Sequence, residues 1–118
     1  MSTVVYEVNL HVKRAVEREY RDWLTAHIRE ILALPGFIGA ELFEVSDPAP
    51  AADEFALCVH YQLRDAAALA AYLREHAPRL RAEGVARFGD NLRAERRVMA
   101  PTRTAPSPIL VRGGFSKG

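Results

Sequence analysis

The spacing of apolar residues switches back and forth between two repeats along this chain, and that switching limits its fold more than any single motif. In VVYEVNLHV, residues 4 to 12, Val4, Tyr6, Val8, Leu10 and Val12 alternate with Val5, Glu7, Asn9 and His11. A period of two marks a strand with one buried face. From Ala15 the repeat changes. Val16, Tyr20, Leu24, Ile28 and Ile31 recur at intervals of three and four, which predicts a helix running to about Leu34. Pro35 and Gly36 stop it, because proline cannot continue the hydrogen-bond ladder and glycine accepts positive φ. The stretch LPGFIGAELFEV is therefore a helix stop followed by a second strand, roughly residues 37 to 46. Its phase is set by placing Ile38, Ala40 and Leu42 against the helices, which leaves Phe37, Glu41 and Phe43 on the other side.

Residues 47 to 53 form a loop rich in Pro, Ala and Asp. FALCVHYQL, residues 55 to 63, alternates most cleanly, with Phe55, Leu57, Val59, Tyr61 and Leu63 opposed to Ala56, Cys58, His60 and Gln62. Asp65 suits the N-cap of a second helix, lined on one face by Leu69, Tyr72, Leu73, His76 and Leu80 and kinked or split by Pro78. Gly84 and Gly89 punctuate its end. NLRAERRVM, residues 91 to 99, gives a fourth strand with Arg93, Glu95 and Arg97 on its polar side.

The order β-α-β-β-α-β predicts a ferredoxin-like α+β sandwich: a four-stranded antiparallel sheet, spatial order 4-1-3-2, with both helices on one face. At 118 residues there is room for one such domain, placed at 1–100. The Pro/Gly-rich remainder, 101–118, is a tail in which Ile109, Leu110 and Val111 could dock on a neighbour. A net charge of +1 supplies no field for nucleic acid or an anionic membrane. No apolar stretch approaches the ~20 residues that span a bilayer. Cys58 is the single cysteine, which removes an internal disulfide and a Cys-rich zinc site. No leader is evident, so a cytoplasmic location is expected.

Two helices cover only one side of such a sheet. The other side carries Glu7, Asn9, His11, Ala56, Cys58, His60, Gln62, Arg93, Glu95 and Arg97, with Phe37, Glu41 and Phe43 from strand two. Stacking two sheets across a two-fold axis turns this mixed surface into the lining of a shared chamber, so a homodimer is expected. LPGFIGAELFEV followed by FALCVHYQLRDAAALAAYL resembles the middle of the dimeric α+β barrel superfamily, which includes antibiotic-biosynthesis monooxygenase-like and EthD-like proteins. WLTAHIREIL, EHAPRLRAEG, RFG and RRVM are more specifically similar to a bacterial domain-of-unknown-function family (DUF4286-like). The resemblance covers residues 4 to 99 and implies a fold and a homodimer but no substrate.

Four histidines carry the candidate chemistry. His11 and His60 face the open side on strands one and three, taken as adjacent and parallel, with His11 further along. With Glu41 they could form an acid–base pair or hold a metal, yet HxH and HxxxH spacings are missing, so no metal and no cofactor are assigned. His27 lies in the apolar face of helix one with Trp23 four residues before it. It suits a bonded core histidine, or a base beside an indole, the role the EthD-like resemblance favours. His76, next to the proline break, is expected to donate to carbonyls left unpaired there. Arg93 and Arg97 could clamp a carboxylate. RNA on the sheet would need aromatics on the central strands, and the open face lacks them.

The expected function is thus a homodimeric barrel binding a small aromatic or acidic ligand. The superfamily resemblance adds cofactor-independent oxygenation, isomerisation or decarboxylation as reaction classes. His60 and His11, then His27, are the catalytic candidates. Glu7, Asn9, Trp23, Glu41, Phe43, Cys58, His76 and Arg97 are the ligand-binding ones. The alternative is a non-catalytic protein whose polar face only builds the dimer.

Overall fold

The computed structural model describes residues 2–102. The expectation of a docking tail lies outside that range for residues 103–118. Strand β1 (Val4–Lys13) leads through a short 3-10 turn into helix α1 (Glu17–Leu32), followed by strands β2 (Phe37–Glu44) and β3 (Glu54–Leu63). Helices α2 (Ala66–Glu75) and α3 (Ala77–Phe88) precede strand β4 (Leu92–Met99). The strands lie in the order β2-β3-β1-β4, as the pattern of periods predicts.

All neighbouring strands are antiparallel. The expectation that β1 and β3 run parallel is therefore corrected: Val12 faces Phe55 and Val4 faces Leu63. Parallel neighbours need a crossover, whereas β1 and β3 are reached here after a crossover and a hairpin, which reverses the direction.

One face of the sheet supplies the core. Val4, Tyr6, Leu10, Val12, Phe55, Leu57, Val59, Tyr61 and Leu63 are buried beneath Tyr20, Leu24, Ile31, Leu69, Tyr72 and Leu80 of the helices. Burying a large apolar side chain contributes roughly 1.5–3 kcal/mol, so these two rows fix which face points inward. The Asp65 carboxylate accepts from Ala68 N at 2.8 Å and starts α2. Pro78 falls in the first turn of α3, where its missing N–H costs nothing, so the predicted single helix becomes two. His76 sits at the junction, but its side chain makes no capping bond; the ring stacks on Tyr72 instead. Its backbone N–H donates to the Tyr72 carbonyl, and its own carbonyl accepts from the Leu80 N–H.

Strand β2 departs from its predicted phase at one end. A bulge between Phe37 and Gly39 sets Phe37 opposite Leu63, on the helix side, with its ring edge-on to Tyr61 and Tyr72. Ile38, expected against the helices, is 56% exposed. Beyond the bulge the expected phase returns, with Ala40 opposite Tyr61 and Glu41 opposite His60. The two sheet edges differ in character. β4 presents Arg93, Glu95, Arg96 and Arg97 with Val98 exposed among them, while β2 exposes Ile38, Leu42 and Phe43 together with Glu41 and Glu44.

Gly36 holds the α1–β2 turn at φ +90°, and a Cβ there would lie 2.5 Å from Ala68 Cβ. Gly36→Ala is expected to destabilise by about 1–3 kcal/mol, seen as a lower urea midpoint at unchanged slope. Gly39→Ala, which meets nothing within 4 Å, should leave the midpoint nearly unmoved.

Candidate functional site on the open sheet face

Register assembles the site. β1 lies between β4 and β3, so Glu7 is opposite Arg97 on one side and His60 on the other, and His60 is opposite Glu41. A row of Arg97, Glu7, His60 and Glu41 thus crosses all four strands. The next row holds Glu95, Asn9, Cys58 and Phe43.

Glu7 is the hub. It is only 6% exposed, although no helix covers this face. Its Oε1 accepts from Arg97 Nε at 2.6 Å and from Asn9 Nδ2 at 2.9 Å, and its Oε2 lies 2.8 Å from His60 Nε2. The Arg97 guanidinium is the main cause that holds the Glu7 carboxyl down at about 2, against a burial effect that pushes the other way. An ionised carboxylate can only accept, so Nε2 of His60 carries the proton and donates it to Oε2. In the neutral ring Nδ1 then keeps its lone pair. Burial first, and the Glu7 charge second, push the Cys58 thiol up to about 11. Cys58 is therefore a wall of the site rather than a nucleophile. Phe43 meets the His60 ring edge-on at 5.2 Å, and a groove beside it is lined by Val5, Gly39, Ala40, Glu41, His60 and Gln62.

His11 does not join this cluster. It pairs with Ala56 and Arg93, four residues along β1 from Glu7, and its imidazole approaches Glu95 at 3.9 Å. Four strand residues amount to roughly 13 Å, so His11 and His60 cannot share one proton or one ion. His76 stands at the α2–α3 junction, away from the open face.

Trp23 and His27 belong to a second place, under the helices. Their rings stack at 4.4 Å, and Trp23 also meets Tyr20 and Phe88. A cavity of about 60 Å³ there is lined by residues including Tyr6, Trp23, His27, Arg81, Gly84 and Arg96. Arg81 donates to Tyr6 Oη at 2.8 Å. Burial holds the His27 imidazole below its ordinary value, and its Nδ1 is buried without a hydrogen-bond partner. A bonded core histidine, the preferred expectation for His27, is thus corrected in its bonding: the ring is held by stacking. Arg81 was not singled out from the sequence. Its bond joins α3 to β1, and no local spacing announces it.

A four-stranded antiparallel sheet in the order β2-β3-β1-β4, backed by helices on one side, is a ferredoxin-like α+β sandwich. Solved structures bear this out. SnoaB, a cofactor-independent oxygenase from Streptomyces nogalater, is similar at TM-score 0.60 and 16% identity, over 91% of this chain and 100% of that one. Rv0793 from Mycobacterium tuberculosis gives TM-score 0.63 and 23% identity over 89% and 100%. A de novo designed protein, Foldit4, gives 0.59 and 16% over 85% and 99%, so the likeness is one of fold and carries no activity with it. A search of curated proteins finds no match. The chain belongs to the family described as Domain of unknown function (DUF4286), whose model matches residues 3–102.

The Glu7 network makes a pH-dependent prediction. Its folded value of about 2 lies below the ordinary 4.5, so its charge stabilises the fold fully above about 4.5 and loses that effect as pH falls toward 2. Glu7→Gln is expected to destabilise by about 1–3 kcal/mol at neutral pH. The gap between variant and parent in thermal denaturation should narrow steadily below pH 4.5.

Proposed function

We propose that this protein is a homodimer that binds a small aromatic or acidic molecule in a chamber above the open sheet face, and that His60 moves a proton on that molecule. The observation that carries this reading is a carboxylate, 6% exposed, on the face no helix covers, with an imidazole nitrogen 2.8 Å away. Glu7 fixes the tautomer and orientation of His60, and it stabilises the imidazolium formed when Nδ1 accepts a proton. Glu7 itself stays ionised. Arg97 binds Glu7 through Nε, and its side chain is 67% exposed, so its terminal amines are free to take a ligand carboxylate.

A base that removes a proton and returns it to a neighbouring atom isomerises. One that leaves the carbanion to dioxygen starts an oxygenation without a cofactor, and its imidazolium form, having taken a proton from water or substrate, completes a decarboxylation by giving that proton to the carbanion left by departing carbon dioxide. SnoaB, of the same fold, is a cofactor-independent oxygenase, which supports the second class. A second copy is the natural cover, because Phe43 is 42% exposed beside the site. The non-catalytic reading is favoured by a different observation: Glu7 is fully bonded from within the chain by Arg97, Asn9 and His60.

A thermal-shift screen of aromatic acids and quinones, with light scattering at micromolar concentration, separates the two. The expected outcome is a dimer, a stabilising compound, and loss of that shift in His60→Gln while the dimer persists. A monomer, or no compound that shifts the parent protein, would favour the structural role.

A further inference from the structure

His27 remains outside the chemistry of the open face, and its surroundings are not those of an ordinary core histidine. One ring nitrogen, Nδ1, is shut off from water with no partner. Buried polar atoms of this kind are uncommon and call for a physical cause. Glu30 lies three residues on along α1, which puts it on the same edge of the helix as His27. Glu83 reaches toward both from α3. A ligating atom from each of the three residues falls within 4.8 Å of the other two. The carboxylates have only weak company: Arg79 Nη1 is 3.4 Å from Glu30 and 3.6 Å from Glu83, and all three side chains are about half exposed. Such surface pairs contribute little and are readily exchanged.

We infer that His27, Glu30 and Glu83 form a binding site for a borderline divalent transition-metal ion, zinc being the natural occupant, which ties α1 to α3. One imidazole and two carboxylates are a donor set for zinc, manganese or iron(II), whereas magnesium and calcium prefer oxygen alone. A zinc ion about 2.1 Å from each donor would hold them roughly 3.4 Å apart. The two half-exposed glutamates can close that distance by changing rotamer. His27 is the fixed member, clamped by its stack on Trp23 at 4.4 Å and 18°. Water completes the shell on the exposed side. The two helices otherwise meet largely through the Tyr20, Trp23 and Phe88 rings, so a shared ion would add a polar tie across that seam. Arg79 competes for the same carboxylates, so its removal should strengthen the site.

The chain carries its own reporter, because Trp23 is the single tryptophan and lies against the proposed ligand. Full-length protein stripped with a chelator would be titrated with cobalt(II) while Trp23 fluorescence is followed, and zinc would then be added in competition. The expected result is saturable quenching at one equivalent, reversed by zinc and unaffected by magnesium. Glu83→Gln, an exposed substitution that spares the fold, should weaken it at least tenfold, as should His27→Gln, while Arg79→Ala tightens it. Zinc should also raise the melting temperature of the parent but not of Glu83→Gln. Quenching that is unsaturable, or equal in Glu83→Gln and the parent, overturns the assignment. So does cobalt that binds without affecting Trp23 and is lost in His60→Gln, since Glu7, Cys58 and His60 are the other donor cluster among the described residues. The two clusters lie on opposite faces of the sheet, so ligand binding at His60 and metal binding at His27 fail independently.

Discussion

A carboxylate withdrawn from water in the middle of a sheet has to be met by donors on both flanking strands, and Glu7 imposes that demand on β1. Arg97 answers from β4 and His60 from β3, with Asn9 closing the remaining position from the same strand. Leaving such a charge unpaired costs several kcal/mol. A one-residue slip of β1 would carry Glu7 to the helix side, among Tyr61, Leu57 and Val59, and expose Tyr6 and Val8 to water. The polar contacts on one face and the apolar rows on the other therefore specify the same register. The sheet is locked from both sides by consecutive residues of a single strand.

Consecutive residues also connect the two faces of the sheet. Tyr6 turns inward and takes a hydrogen bond from Arg81 of α3, while Glu7 turns outward to His60. Each layer has an aromatic support: Phe43 beside His60, Trp23 beside His27. The imidazoles differ in what their surroundings allow. His60 keeps one nitrogen bonded to an anion and the other available at a groove. His27 has one nitrogen buried without a partner and the Glu30 and Glu83 carboxylates near the ring.

Much of this was legible in the sequence where a pattern answers to a single cause. The alternation of FALCVHYQL reports one-sided burial, Pro35-Gly36 reports a broken ladder with positive φ, and Asp65 reports orphan N–H groups at a helix start. The open face was recoverable for the same reason, since Glu7, Cys58 and His60 share a phase with their neighbours. Pairing was not, because it depends on strand direction. Once Val12 meets Phe55 in an antiparallel ladder, Glu7 falls opposite His60 and His11 falls away from both. The bulge in FIGAELF was hidden because Phe37 and Ile38 are both apolar, so the period fits either. The choice is made by Tyr61 and Tyr72, which offer Phe37 two edge-on contacts. Likewise the stack of Trp23 on His27 follows from their spacing of four, but Glu83 comes from another helix and no local rule foretells it.

The unequal edges of the sheet bear on how copies of this chain can meet. β4 is lined mostly with charges, Val98 being its exposed apolar residue, while β2 offers Ile38, Leu42 and Phe43 among Glu41 and Glu44. Head-to-tail growth requires β2 of one molecule to lie against β4 of the next, the mismatched combination. The charged border thus works against open-ended growth strand by strand.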